Sequence, residues 1–133
     1  MSASADADQL RLLSIFHYIL GGLTALLALF PVIHLVIGIA LLGGHLAPDD
    51  AESRFVGALF VGVAALFIGC GLVLAGLLLY AGRCLATRRH HLFCTVVAGV
   101  SCALMPLGTV LGVFTLVVLL RPSVKASFGA RPA

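Results

Sequence analysis

The chain has 133 residues, 62% of them hydrophobic and only 10% charged, with a net charge of +3. A mean hydropathy of +1.21 excludes an ordinary water-soluble domain, and the length leaves room for one domain, 1–133. The small positive balance is spread over loops and ends and forms no basic face of the kind that binds nucleic acid.

The opening residues, MSASADADQLR, carry acids where a signal peptide has a positive region, and the apolar stretch behind them is too long for a signal core. The first stretch is therefore expected to be retained as a span. From Leu12 to Leu120 the chain is almost continuously apolar, broken by two polar loops. His45–Arg54 holds Asp49, Asp50 and Glu52 with one arginine, whereas Gly82–His91 holds Arg83, Arg88 and Arg89 and no acid. Uncharged apolar runs well beyond about 18 residues are membrane spans.

Leu12–Gly44 is too long for one upright helix, since it would extend ~50 Å against a hydrocarbon core of about 30 Å. Pro31 lies inside it, where proline kinks or ends a helix. Phe55–Tyr80 makes one tilted span, and Leu92–Leu120 is interrupted at Pro106. Charge chooses between threadings, because Lys and Arg collect in cytoplasmic loops. One crossing for each of the first two stretches and two for the third put Arg11, Arg83, Arg88, Arg89, Arg121, Lys125 and Arg131 on one side, with only Arg54 opposite. A hairpin at Pro31 makes that division worse. The expected fold is thus all-α, a polytopic membrane protein with spans at about 12–44, 55–81, 88–105 and 106–123, the first kinked at Pro31. The last two are short, ~27 Å each, and need bilayer thinning or snorkelling arginines. Phe16, Gly22, Pro31 and Gly38 recur in order as Phe93, Gly99, Pro106 and Gly112, a faint echo of the internal repeats found in transporters or a consequence of common residue types.

Helices in lipid associate through small residues that allow close approach. In the second span Gly62, Gly69 and Gly76 repeat every seventh residue with Ala58 and Ala65 interleaved, and Gly57, Ala64 and Gly71 form another row one position away. This spacing suits packing near +20°. It serves either a glycine-zipper interface between protomers or the internal seam of a bundle. Gly21 with Ala25, Gly99 with Ala103, and Gly108 with Gly112 supply shorter patches of the same kind.

Ionisable groups inside spans are candidate sites by default, and His17 and His34 qualify. His34 lies one turn after Pro31, where an imidazole N–H can satisfy a freed carbonyl; either histidine could instead line a proton path. His17 facing His90 or His91 would offer a haem pair, and His90 with Cys94 two zinc ligands, but both sets are incomplete. Neither a metal nor a cofactor is expected. Arg83, Arg88 and Arg89 are suited to anionic headgroups. Of the cysteines, Cys70, Cys94 and Cys102 lie in apolar stretches and pack as small apolar residues; no CxxC pair occurs. No nucleophile with its base, phosphate loop or carboxylate pair is present, so no enzymatic activity is expected. The leading expectation is an accessory or oligomer-forming membrane subunit. An oligomeric channel for protons or small solutes comes second, and a haem-binding electron carrier third.

Pro106-Leu-Gly-Thr-Val-Leu-Gly112, with Phe114–Leu120 and Phe128 after it, resembles the P-x-G-T-x-L-G ending of small bacterial four-span membrane proteins of unknown function. Phe16-His17-Tyr18 and Pro31-Val-Ile-His34 look like one branch of that group. The resemblance implies four helices in a bacterial inner membrane with both termini cytoplasmic. It assigns no functional residue. In that pattern Pro106 opens the last helix and Thr109 caps it or bonds back to a freed carbonyl.

Overall fold

A computed structural model describes residues 3–129. The described residues are mostly helical and contain no strand: α1 (Ala3–Ala28), α2 (Val32–Leu42), α3 (Ala51–Thr87), α4 (His91–Ser101), α5 (Leu107–Leu119) and α6 (Pro122–Gly129). Two segments are long and apolar enough to cross a membrane, Ser4–Leu42 and Ala51–Thr87, and a third is available if the bent pair α5–α6 is one span. Only 11% of the most apolar window of each long segment is buried inside the chain. Leu26, Phe30, Phe55, Leu66 and Phe67 all point outward, which water would not tolerate and lipid requires.

The helices begin and end where local chemistry dictates. α1 starts within the polar N-terminal residues, and Asp6 in its first turn opposes the positive end of the helix dipole. The ladder breaks at Leu29–Pro31: Leu29, Phe30 and Val32 donate to carbonyls only three residues back, and α2 resumes after Pro31. α2 ends at Leu42 through Gly44, whose φ of +67° lets the His45 N–H reach the Ala40 carbonyl at 3.0 Å. α3 is longer than Phe55–Tyr80, because charged residues at both ends continue the helix into the interface. At its start the Ser53 N–H donates to Asp50 Oδ1 at 2.8 Å and the Arg54 N–H to the Asp50 carbonyl at 3.1 Å, making Asp50 the N-cap. The Ser53 hydroxyl and then its N–H hold the Asp50 carboxyl below its usual range. A lowered carboxylate pKa stabilises above the unfolded value, about 4, and loses its contribution as pH falls through the folded one. Protection of the Ser53 amide, measured against its intrinsic exchange rate, should therefore fall below about pH 4, and Asp50→Asn should remove that pH dependence in a hydrogen-exchange profile.

At its other end α3 closes with the same loop that ends α2, the Arg89 N–H bonding the Cys84 carbonyl at 3.0 Å. Here the left-handed position belongs to Arg88, at φ +54°, where glycine carries no penalty. Replacing Arg88 by Gly should stabilise the turn by about 1 kcal/mol, seen as a higher midpoint of thermal unfolding in lipid.

The chain divides into two compact units. One contains the described residues up to Gly22 together with those from Ala75 onward. Its core is Leu10 and Leu13 of α1, Cys84 and Leu85 of α3, Cys94 of α4, Val118 and Leu119 of α5, and Val124 of α6. Ser14 Oγ donates to the Gly82 carbonyl at 2.6 Å, and Arg121 Nη1 to Gln9 Oε1 at 2.9 Å, fastening α1 to α3 and to the end of α5. α4 and α5 form a tight hairpin. A Cβ on Gly112 would lie 2.5 Å from the Ala98 carbonyl oxygen and 2.7 Å from Cys102 Sγ, and one on Gly108 would collide with Leu104 and the Ser101 carbonyl. Thr109 Oγ1 donates to the Cys102 carbonyl at 2.6 Å, the freed-carbonyl bond anticipated from the sequence. With 11 and 13 residues these helices extend ~16 and ~20 Å, well short of a hydrocarbon core of about 30 Å. α6 leaves α5 at 76° and starts with Pro122. The other unit, Leu23–Leu74, is the end of α1, α2 and the first two-thirds of α3.

Candidate functional site

The two rows of small residues on α3 have different surroundings. Gly57, Ala64 and Gly71 belong to the seam of unit Leu23–Leu74. A Cβ on Gly57 would lie 3.0 Å from the Gly38 carbonyl oxygen, and one on Gly71 would lie 2.5 Å from Ala28 Cβ. At the first place backbone meets backbone; at the second the Ala28 methyl lies against the glycine. In the other unit, Gly82 packs against Ser14 and His17. Gly62, Gly69 and Gly76 have open space where a Cβ would stand, and Ala58 and Ala65 are exposed. This second face lies roughly a third of the way round the helix from the seam, at about 100° per residue. Gly108 and Gly112, a separate small-residue patch in the sequence, lie in the α4–α5 seam.

Between the contacts Gly38–Gly57 and Ala28–Gly71, the interruption at Pro31 holds the two helices apart. A slot of about 330 Å³ opens there, lined by Pro31, His34, Leu59, Phe60, Val63, Ala64 and Phe67. The His34 ring stacks on Phe60, centroids 5.9 Å apart and planes at 21°, and tilts against Phe30 at 6.2 Å. Among the described residues no hydrogen bond reaches its imidazole, so the freed carbonyls near Pro31 are not its partners. The short turn bonds of Leu29, Phe30 and Val32 close the break instead.

His17 is fully buried in the other unit. Its Nδ1–H donates to the Leu13 carbonyl one turn back, at 2.9 Å, while Nε2 has no partner. His91 Nε2–H donates to the Leu119 carbonyl at 2.8 Å, and its ring meets Phe128 edge-on at 5.2 Å. It clips the two ends of the α4–α5 hairpin together. His90 is exposed and left-handed at φ +52°. The pair weighed for haem is thus divided among separate structural tasks. Cys84 and Cys94 are buried free thiols in one core cluster, and no group of three metal-ligating side chains occurs among the described residues. Arg83, Arg88 and Arg89 are all exposed around the α3–α4 turn. At the opposite polar loop Arg54 Nε lies 3.7 Å from Asp49 Oδ1, an exposed pair that contributes little stability.

Sequence reasoning identified His34 but not the slot, whose signal was Pro31 set between two glycine contacts on facing helices. No protein-family model, curated protein or solved structure matches this chain.

Proposed function

We propose that this is a non-enzymatic integral membrane protein that works as a self-assembling or accessory subunit, joined to its copies through the outer face of α3. The observation that carries this reading is the open row of Ala58, Gly62, Ala65, Gly69 and Gly76. Glycine costs a helix about 1 kcal/mol relative to alanine, and among the described residues its flatness here serves no contact. A second copy of the same row is self-complementary and gives two α3 helices a close, left-handed glycine-zipper crossing.

In this reading the protein resides in a bacterial inner membrane with both termini and the Arg83–Arg89 turn in the cytoplasm. Ser4–Leu42 crosses once with a kink at Pro31, Ala51–Thr87 returns, and the α4–α5 hairpin makes the third and fourth crossings in a locally thinned bilayer. Support for the orientation comes from the basic residues gathered on one side and the acids of the Asp49–Glu52 loop on the other. Exposed Arg83, Arg88 and Arg89 meet anionic headgroups. Native mass spectrometry of the protein released from lipid nanodiscs should give a discrete oligomer. A monomer at every protein-to-lipid ratio would overturn the assembly.

A further inference from the structure

We propose that Cys84 and Cys94 are a redox-active thiol pair, joined as a disulfide by a hydroperoxide when the turn between α3 and α4 opens. Each stands about one turn from the facing end of its helix, Cys84 before Thr87 and Cys94 after His91. Cys94 Sγ lies 3.9 Å from the carbonyl oxygen of Ala81, one turn before Cys84, and 3.8 Å from that of Arg89. Arg89 in turn donates its N–H to the Cys84 carbonyl at 3.0 Å, so the same few atoms enclose both side chains. There the Cys94 thiol interacts directly with the Cys84 thiol. A disulfide requires two sulfurs brought together with little backbone movement, and packing has already done that. Cys70 is exposed elsewhere on α3, and Cys102 donates to the Ala98 carbonyl within its own helix end at 3.3 Å.

Both thiols are buried, at 3% and 1% exposure, and the closed turn keeps an oxidant away from them. The turn itself supplies the way in. Arg88 at φ +54° and His90 at φ +52° both occupy the left-handed region, which only glycine takes without penalty. Unwinding releases both penalties, so this segment opens more readily than the helices it joins. Exposed Arg83, Arg88 and Arg89 then surround the thiols with positive charge, which favours an attacking thiolate. One sulfur attacks the peroxide: an S–O bond forms, the O–O bond breaks and the first water leaves. The other sulfur attacks the resulting sulfenic sulfur: the S–S bond forms, the S–O bond breaks and the second water leaves. Two electrons pass from the sulfurs to the peroxide, and both thiol protons end in water. A dithiol reverses the step by exchange. The disulfide closes residues 84–94 into a ring and fixes the arginine turn. In the cytoplasm, where the reading above places this turn, such bonds are transient, so the disulfide is a reversible lock.

The test uses the full chain in nanodiscs, treated with hydrogen peroxide, quenched with catalase, blocked with N-ethylmaleimide in denaturant and digested with trypsin without reductant. Trypsin cuts after Arg88 and Arg89, between the two cysteines, so the disulfide appears as two linked peptides whose fragmentation distinguishes Cys94 from Cys102. Linkage of Cys84 to Cys94 is expected, reversed by dithiothreitol and retained in Cys102→Ser. In the linked form the Arg89 amide should exchange more slowly, because its acceptor at Cys84 is held in place. His90→Gly lifts one left-handed penalty and leaves the arginines intact, so it should slow linkage about fivefold. Two maleimide-blocked cysteines after peroxide, or linkage through Cys102 instead, would overturn the pair. An unchanged rate in His90→Gly would overturn entry through the open turn. The assay reads neither sidedness nor assembly, so its failure leaves the α3 interface and the topology standing, and theirs leaves the thiol pair standing.

Discussion

Replacing Gly38 by Leu should unfold the α2–α3 contact and cost the protein about 3 kcal/mol or more, the upper range for overpacking. A Cβ there would stand 2.8 Å from Val61 Cγ2 and 2.9 Å from both the Gly57 carbonyl oxygen and the Val61 nitrogen. Two of those three neighbours are backbone atoms inside helices, which cannot turn aside as a flexible side chain can. The helices must separate, and the close approach that holds them in lipid is lost with them. Gly57→Leu should behave alike, because its Cβ would meet the Gly38 carbonyl oxygen at 3.0 Å and Leu41 Cβ at 3.1 Å. A single cysteine reports the event: Ala64→Cys, at a buried position in the same unit as these glycines and in a background without the four native cysteines, reacts with a thiol-reactive dye only as that unit unfolds on heating. The dye midpoint should fall by about 10 °C in either variant. A midpoint within about 2 °C of wild type would mean the helices do not cross at these glycines.

Gly69→Leu should have the opposite profile. Its side chain would enter open space, so the fold should keep its melting midpoint or gain slightly from better helix propensity. Assembly should be lost, because one leucine on each partner forces two glycine faces apart. The expected result is a shift from oligomer to monomer of at least tenfold in apparent dissociation constant, measured by native mass spectrometry over a protein-to-lipid series. Gly62→Leu should do the same, and Phe67→Ala, an exposed position on the opposite side of α3, should do neither. Loss of the fold in Gly69→Leu, with dye uptake at low temperature, would place this face inside the monomer after all.

Class, polar loops and helix breaks were all legible in the sequence, because each depends on local composition. Pro31 and Pro106 interrupt helices where expected. Their consequences differ, since distant packing decides the path of the chain beyond each break. After Pro31 the helix resumes beside α3, whereas Pro106 stands at the turn of a hairpin whose arms touch at Gly108 and Gly112. The same limit applies to the glycine rows on α3. Periodicity identifies two faces on one helix but carries no information about which finds a partner, and that was set by Gly38 and Ala28 arriving from α2 and α1. Helix ends were less legible for another reason. Hydropathy stops at the last apolar residue, but Asp50 starts α3 before Phe55 as a cap, and the helix runs on past Tyr80 to Thr87 until Arg88 ends it in the left-handed position. The histidines were visible as candidates, yet their roles rest on partners far away in sequence, such as the Leu119 carbonyl for His91 and the Phe60 ring for His34.

Sidedness and the even number of crossings are the central claim of the proposed topology, and single-cysteine labelling in intact cells tests them. Variants carrying one cysteine at Asp50, Arg88 or Ser127, in a background without the four native cysteines, are exposed to a membrane-impermeant maleimide. Transferring the seven basic residues to the outer face would oppose a membrane potential worth about 2.3 kcal/mol per charge per 100 mV. The account predicts labelling of the cysteine at Asp50 from outside, with those at Arg88 and Ser127 reacting only after the cells are permeabilised. Labelling at Ser127 in intact cells would contradict it, leaving an odd number of crossings and the two ends of the chain on opposite sides.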